Sequence, residues 1–268
     1  MNNKKFARFG IFLIFAVALA FVFSSMSVNA VQPFGSNVSE ISNQTLPTQP
    51  AGSAAAVAGN VTEVDLNGFT TTQSWQGYYG NVTGTIVLSD GGNHQLYNWS
   101  DASPKGEVYA STNDSLIWTN IQCFNYTATG TYADDSANRG GTSQFGMNLT
   151  QLESSYNIPL DAVDSVNNTF NLNGTGNHAT FYTNNLQFGD GTCHSTRLYT
   201  NTGTGEAGKF EEVLLYDPDT RSVVYTTILN QDILGFDNRT HDFEMIVPED
   251  GHKADTSTTT YYFYVELQ

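Results

Sequence analysis

The sequence predicts an all-β fold: a single antiparallel β-sandwich domain with one or two short helices inserted, preceded by a signal peptide and a flexible stalk. From about residue 61 onward, short runs of Val, Ile, Thr, Tyr and Phe alternate with Gly, Asp and Asn, which is typical of strands and turns. No internal repeat is visible, which disfavours solenoids and propellers. No second linker divides residues 61–268. We therefore expect one domain over residues 61–268.

Eight segments have the composition of strands, and turn sequences join two pairs of them. Asp90-Gly91-Gly92-Asn93 separates the first pair, and Asp217-Pro218-Asp219-Thr220, with Pro at the second turn position, separates the other. The predicted strands are Gly84–Ser89, Gln95–Trp99, Glu107–Ser111, Leu116–Phe124, Phe210–Tyr216, Val223–Leu229, Phe243–Val247 and Tyr261–Leu267.

The stretch from Leu149 to Val166 differs from the rest of the domain. Its apolar residues fit a helical spacing only in part, and Pro159 interrupts that spacing. We expect one or two short helical segments here, inserted between sheets.

The first thirty residues predict a signal peptide. A basic segment from Lys4 to Arg8 precedes an apolar run from Gly10 to Phe23, which is short for a membrane span. Val28-Asn29-Ala30 then offers small residues at the positions that a signal peptidase recognises. We therefore expect an extracellular protein, either secreted freely or associated with the cell surface. Cleavage would leave no transmembrane helix, whereas an uncleaved membrane anchor is the alternative.

Residues 31–60 are rich in Ser, Asn, Gln, Pro and Ala and contain little apolar surface. Burial in this segment cannot repay the entropy of ordering it, so we predict a flexible, disordered stalk.

The net charge of −16 reflects a shortage of basic residues, with 10 Lys and Arg against 26 acidic residues. Charged residues make up 13% of the chain, against about 25% in a typical soluble protein. The acidic content is therefore ordinary, and we expect these residues mostly in turns. Nucleic acids and anionic lipid surfaces both require a basic patch, so the composition excludes both as partners.

Eleven Asn-x-Ser/Thr sequons indicate an exported, glycosylated chain, since chance predicts about four or five. The alternative is that Asn, Ser and Thr are simply common in β-rich proteins. The sequons begin at Asn37, Asn43, Asn60, Asn81, Asn98, Asn113, Asn125, Asn148, Asn167, Asn173 and Asn238.

Cys123 and Cys193 are the only cysteines, and an even pair in an oxidising compartment predicts a disulfide. Two free buried thiols are the alternative.

The segment from Gly203 to Phe210 matches G-x-G-x-x-G and most of G-x-x-x-x-G-K-[ST]. Phe210 occupies the position of the Mg²⁺-binding hydroxyl, and a predicted strand follows where both patterns need a helix. A flexible glycine loop is the better interpretation.

No cofactor is predicted, although acidic turns offer the oxygen ligands that Ca²⁺ requires. Turn chemistry alone is the better interpretation of any one of these loops. The candidate turns are Asp90-Gly91-Gly92-Asn93, Asp134-Asp135, Asp190-Gly191, Asp217-Pro218-Asp219 and Glu249-Asp250-Gly251.

The sequence contains no catalytic signature, and we expect a non-enzymatic protein without catalytic residues. The five histidines show neither HExxH nor His-x-His spacing, and there is no G-x-S-x-G elbow. Two alternatives stay open: a zinc site assembled from distant residues, and a hydrolase with two convergent carboxylates.

Aromatic side chains supply the candidate ligand-binding residues. Exposed Trp and Tyr rings stack on the apolar faces of sugars, whereas the alternative is that such rings belong to the core of the sandwich. The candidates are Trp75, Tyr78, Tyr79 and Trp99.

Several runs resemble a family of uncharacterised secreted archaeal surface proteins. The resemblance covers most of residues 61–268 and implies export and an archaeal cell-surface setting, but no activity, ligand or catalytic residue. The runs are Trp75 to Gly84, Gly106 to Ser111, Phe210 to Asp217, Asp242 to Gly251 and Tyr261 to Leu267.

These features together predict a non-enzymatic secreted or cell-surface protein that mediates envelope assembly or adhesion. Its expected partner is a cell-surface protein or a glycan, and self-association is a further expectation. The alternatives are a carbohydrate-binding module and a secreted hydrolase that uses paired carboxylates.

Overall fold

The computed structural model describes residues 32–101, 104–124, 126, 147–252 and 255–268. The predicted signal peptide, the Asn125 sequon and the Asp134-Asp135 turn lie outside the described residues. Residues Gln32–Gln268 form one compact unit. Within the described ranges, no helix has the length and apolar character needed to cross a membrane.

The regular secondary structure of the described chain is mostly strand, with two short α-helices, which confirms the predicted all-β class. The helices are α1 (Leu149–Ser155) and α2 (Val166–Thr169), and a 3-10 helix covers Trp118–Asn120. The strands are β1 (Phe34–Gly35), β2 (Trp75–Gly80), β3 (Gly84–Ser89), β4 (Gln95–Asp101), β5 (Gly106–Ser111), β6 (Gln122–Cys123), β7 (Phe181–Thr183), β8 (Leu186–Phe188), β9 (Ser195–Arg197), β10 (Glu211–Asp217), β11 (Ser222–Ile228), β12 (Ile233–Leu234), β13 (Thr240–His241), β14 (Phe243–Pro248) and β15 (Tyr262–Leu267).

The central sheet has seven strands in the order β1-β15-β5-β11-β10-β6, and β9 also pairs with β10. All of these pairs are antiparallel. Four two-stranded sheets accompany it: β2–β14, β3–β4, β7–β8 and β12–β13.

The central sheet is covered on both faces. Every residue of β5 and β10 is buried, whereas a sheet with one solvated face would show alternation. On one face, Leu214 and Tyr225 pack with α1, α2 and the β2–β14 pair; on the other, Val213 and Val224 pack with the β7–β8 pair and Trp118. The outer layers of the sandwich are therefore small units placed on a single large sheet.

Buried carboxyl groups attach these outer layers to the central sheet. Glu212 accepts the backbone N–H of Ile246 on β14 at 2.9 Å, and Glu266 accepts that of Asn184 between β7 and β8 at 3.0 Å. Each satisfies a main-chain donor that would otherwise be buried without a partner. Seven acidic residues are buried among the described ones, and all but Asp217 lie outside the predicted acidic turns, on strands or on α1: Glu107, Glu153, Glu211, Glu212, Asp217, Glu244 and Glu266.

Seven of the eight predicted strands are present with nearly the expected bounds, and the eighth is wrong. Leu116–Phe124 forms the 3-10 helix and the two-residue strand β6 instead of one strand. Asn113 accepts the N–H of Ser115 at 2.9 Å, and buried Asp217 accepts that of Ile117 at 2.8 Å. These two hydrogen bonds turn the chain where the composition predicts an extended segment.

The irregular N-terminal stretch is longer than expected. Strands were predicted from about residue 61, but the structure has neither helix nor strand from Ser36 to Ser74, and every residue from 37 to 73 is exposed. Within the segment 31–60 that was predicted as a stalk, Phe34–Gly35 instead forms β1 of the central sheet, and the exposed stretch separates it from β2.

Candidate functional site

The disulfide between Cys123 and Cys193 is present, as predicted, with Cα atoms 5.2 Å apart and a sequence separation of 70. Cys123 lies on β6 opposite Leu215 of β10. The crosslink therefore ties one edge of the central sheet to the segment that leads into β9.

Two of the four candidate ligand-binding residues are packed against the core. The indole of Trp75 donates to the carbonyl oxygen of Asp164 at 2.6 Å and lies 6.0 Å from the ring of Phe170. The ring of Tyr78 meets Phe263 edge-on at 5.1 Å. The geometry favours a structural role for both rings.

The other two candidates, Tyr79 and Trp99, are exposed over 38% and 51% of their surface. They belong to different groups of aromatic contacts, since Tyr79 contacts Phe236 and His241 while Trp99 contacts Tyr97. The four predicted residues therefore do not form one site, and two separate surfaces carry the exposed rings.

The first surface is one face of the β3–β4 hairpin. Ile86 lies opposite Trp99, and Leu88 lies opposite Tyr97, so all four side chains project from the same face. The rings of Tyr97 and Trp99 are 5.0 Å apart. These four side chains, named here the hairpin face, are exposed over 46% (Ile86), 50% (Leu88), 61% (Tyr97) and 51% (Trp99) of their surface.

The opposite face of the hairpin is more polar. Thr85 pairs with Ser100, and Val87 pairs with Asn98, the first residue of a sequon. Because side chains alternate along a strand, a glycan on Asn98 would cover this face and leave the hairpin face open.

The turn of the hairpin is fixed by Asp90. Its carboxylate accepts the backbone N–H groups of Gly92 and His94, both at 2.9 Å, and contacts the His94 ring nitrogen Nδ1 at 2.9 Å. The hydrogen bond from the His94 side chain is the main cause that lowers the pKa of Asp90. Asn93 completes the turn in the left-handed region, with φ of 63°.

The second surface, named here the Tyr79 cluster, consists of Tyr79, Phe236, Asp237, Arg239 and His241. Residues distant in sequence meet here because β14 pairs with β2 and thereby places the β12–β13 hairpin beside Tyr79. The ring of Tyr79 lies 5.0 Å from Phe236 and 4.8 Å from His241. Below the exposed rings, buried His241 approaches Asp237 with Nε2 and Oδ1 2.8 Å apart.

Charge in the Tyr79 cluster is concentrated on Asp237 and Arg239. Arg239 donates to Asp237 through its Nε at 2.5 Å and through its backbone N–H at 3.0 Å. Burial alone would raise the pKa of Asp237, but hydrogen bonds from Arg239 and His241 lower it to about 2. The cluster thus presents a carboxylate and a guanidinium beside two exposed rings.

Beneath the cluster, Gly235 allows close approach of two side chains. A Cβ at this position would lie 2.3 Å from Oε1 of Glu244 and 2.6 Å from Cδ2 of His241. Burial of Glu244, chiefly, raises its pKa to about 7. Of the residues in and beneath this cluster, the sequence pointed to Tyr79 alone, because the others are joined to it by strand pairing and not by spacing along the chain.

The glycine loop is followed by a strand, as predicted. β10 begins at Glu211, directly after Phe210, so the two phosphate-binding patterns lack the helix that they require.

The carboxylates of the acidic turns accept backbone N–H groups, either of the turn itself or of a neighbouring segment. Asp190 accepts the N–H of Gly176 at 2.7 Å, and Glu249 accepts that of Asp250 at 3.1 Å. Within the described ranges, no group of three or more His, Cys, Asp or Glu side chains is placed to hold a metal ion. Ca²⁺ binding at an acidic turn stays a prediction.

Histidines outside the Tyr79 cluster have structural contacts. His178 accepts the backbone N–H of Cys193 at 3.1 Å, and His194 stacks on Tyr126 with ring centroids 3.8 Å apart. Burial lowers the pKa of His194, which keeps this imidazole neutral in the stack.

Two carboxyl groups, those of Glu107 and Glu266, lie opposite each other on β5 and β15, but both are buried. A hydrolase needs its acid pair at a cleft that admits substrate. This pair belongs to the interior of the fold.

The described sequons differ in accessibility. Asn148 is buried and caps α1, accepting the N–H of Gln151 at 2.9 Å. Asn113 is half-buried and donates to Ser222 Oγ at 3.0 Å. The exposed ones are Asn37, Asn43, Asn60, Asn81, Asn98, Asn167, Asn173 and Asn238.

Comparison with known proteins gives no relative: no family model, no curated protein and no solved structure matches this chain.

Proposed function

We propose that this chain is a non-enzymatic exported protein that binds another protein of the cell envelope through the hairpin face, in envelope assembly or adhesion. The observation that carries the proposal is the concentration of Ile86, Leu88, Tyr97 and Trp99 on one exposed face of β3–β4.

The hairpin lacks the packing that normally covers an apolar strand face. Among the described strands, β3 and β4 pair only with each other. An isolated two-stranded hairpin is marginally stable in water, and a contiguous exposed apolar patch marks an interaction surface. The opposite face carries Thr85, Asn98 and Ser100 beside exposed Val87, so the aromatic rings are confined to the hairpin face.

The expected contact is modest in strength. Burying the exposed half of four apolar side chains contributes about 1 kcal/mol each, or about 4 kcal/mol in all, which is of the same order as the free-energy cost of association. A contact of this size supports durable attachment when many copies bind side by side.

Export is supported by two further observations. A disulfide such as Cys123–Cys193 persists in oxidising compartments, and eight sequons have exposed Asn residues. Glycans at these positions would supply the surface polarity that a chain poor in Lys and Arg lacks.

The test is co-sedimentation of the purified chain with envelope fractions from its own cells. Leu88→Ser and Trp99→Ala should each lower the affinity about tenfold, which corresponds to about 1.4 kcal/mol. Val87→Ser is the matched control, because Val87 lies on the opposite face with 46% of its surface exposed. Equal binding by all variants would contradict the proposal.

Carbohydrate binding is the second candidate function, and the Tyr79 cluster favours it. Tyr79 and Phe236 offer exposed rings for stacking, and the adjoining Asp237 and Arg239 offer an acceptor and donors for sugar hydroxyls.

Affinity electrophoresis in gels containing envelope polysaccharide tests this second function. Retardation that Tyr79→Ala removes and Trp99→Ala preserves would support it. Mobility independent of polysaccharide concentration would refute it.

A further inference from the structure

The N-terminal strand β1 completes the edge of the central sheet. Phe34 pairs with Val265 and Gly35 with Tyr264 of β15, and the backbone N–H of Ser36 donates to the carbonyl oxygen of Phe263 at 3.0 Å. Without β1, β15 would present unpaired main-chain donors and acceptors at the edge of the sheet.

The attachment of β1 is slight. The strand has two residues, and Phe34 keeps 65% of its surface exposed. Beyond the buried Pro33, its hold depends on a few hydrogen bonds, including one from Ser36 Oγ to the carbonyl oxygen of Phe263 at 3.2 Å. Each such bond contributes only about 0.5–1.5 kcal/mol. Such a strand can detach while the rest of the sheet stays folded.

The connection between β1 and the body of the domain is long and exposed. Residues 37–73 contain neither helix nor strand, and each of them is exposed. A flexible segment of this length has a root-mean-square span of about 35 Å and a fully extended reach of about 120 Å. β1 can therefore reach the β15 edge of a neighbouring molecule without any change in the domain.

We propose that β1 of one copy of this chain pairs with the β15 edge of a second copy, linking the molecules by exchange of the strand. The register is the same in both arrangements, so Phe34 lies opposite the Val265 of the neighbour. This goes beyond the proposed function, because it uses an edge distinct from the hairpin face and names a second copy as the partner.

Exchange depends on how densely the molecules are packed. Contacts in the closed and exchanged forms are equivalent, so the balance is set by the effective concentration of the tethered strand, about millimolar for a flexible tether. Dilute protein keeps β1 on its own β15, whereas a crowded cell surface favours exchange. Successive one-way exchange would build a chain of molecules, because a head-to-tail contact need not close.

Cysteine crosslinking tests the exchange. Directly opposed residues of antiparallel strands have Cα atoms about 4.5–5.5 Å apart, which is within disulfide range. Phe34→Cys protein and Val265→Cys protein are mixed at about millimolar concentration and oxidised, with the native Cys123–Cys193 bond confirmed by mass spectrometry. We expect a mixed disulfide dimer at several times the yield given by Thr45→Cys with Val265→Cys.

Further variants make the result decisive. The double variant F34C/V265C should close within one chain when dilute, and failure to close would overturn the pairing itself. Adding Ser36→Pro, which removes both the N–H and the Oγ that donate to Phe263, should lower the dimer yield, while Ser42→Pro in the exposed segment should not. A dimer yield equal to that of the Thr45→Cys control at every concentration would overturn the exchange. Trp99→Ala, on the hairpin face, should leave the dimer yield unchanged, because the exchange does not use that face.

Discussion

Glu107 and Glu266 lie directly opposite each other on β5 and β15, with 3% and 4% of their surfaces exposed. Glu266 accepts hydrogen bonds from Tyr109 Oη at 2.9 Å and from the N–H of Asn184 at 3.0 Å, and Gln268 donates to Glu107 at 3.1 Å. Burial, and secondarily the charge of Glu266, raises the pKa of Glu107 to about 8. The Glu107 carboxyl group is therefore protonated at neutral pH.

The first prediction is that alkaline pH destabilises the fold through Glu107. The pKa of Glu107 is about 8 in the folded chain, against 4.5 ordinarily, so the folded chain binds this proton more tightly than the unfolded chain does. Protonation of Glu107 therefore stabilises the fold. This stabilisation is complete below pH 4.5 and is lost as the pH rises to about 8. Glu107→Gln, which keeps a neutral group of similar shape, should unfold at higher urea than the wild type at pH 8 and at similar urea at pH 4.5. Glu63→Gln, at an exposed position, is the control. The prediction is refuted if the urea midpoint of the wild type, measured relative to that of Glu107→Gln, stays level or rises between pH 4.5 and pH 8.

The second prediction concerns the disulfide. The Cys123–Cys193 bond closes a loop with a sequence separation of 70, so replacing both cysteines by Ala should lower the free energy of unfolding by about 2–4 kcal/mol. Urea unfolding with and without reductant measures the loss. Reductant should shift the midpoint of the wild type and leave that of the double variant unchanged; a wild-type midpoint indifferent to reduction would be inconsistent with a stabilising crosslink.

The third prediction separates the sequons by accessibility. Asn148 is buried at the start of α1, and the Nδ2 of Asn113 is engaged by Ser222, so attached glycans would disturb the fold at both positions. Mass spectrometry of native protein should find Asn98 modified and Asn148 and Asn113 unmodified. Occupancy at Asn148 equal to that at Asn98 would show that burial does not govern modification.

The fourth prediction tests the packing under the Tyr79 cluster. Gly235→Ala places a Cβ against Glu244 and His241, which should cost about 1–3 kcal/mol of stability. Gly91→Ala is the matched control, because a Cβ there meets nothing within 4 Å. Thermal unfolding of the two variants makes the comparison, and equal midpoints would mean that the cluster adjusts freely.

Most strands were predictable because their signals are local. β3 has the predicted bounds, Gly84–Ser89, and β10 and β11 flank the predicted Asp217-Pro218 turn. Leu116–Phe124 failed because the N–H of Ile117 bonds to Asp217, a residue on a distant strand. Composition cannot reveal a hydrogen bond of that kind.

The candidate site was predictable only in part. Trp99 and Tyr79 were identified from residue type, which carries no information about which rings a second layer will cover. Trp75 and Tyr78 are covered by Phe170 and Phe263, residues far along the chain. Those positions follow from strand pairing and helix placement, which no local pattern specifies.

Hydroxyl-radical footprinting of Trp99 in intact envelopes tests the central proposal most directly. If the hairpin face binds an envelope partner, oxidation of Trp99 should fall several-fold in the envelope relative to the released protein. Tyr199, which is 60% exposed and belongs to neither the hairpin face nor the Tyr79 cluster, is the internal reference. Trp99 oxidised as fully in the envelope as in the released protein would contradict the account.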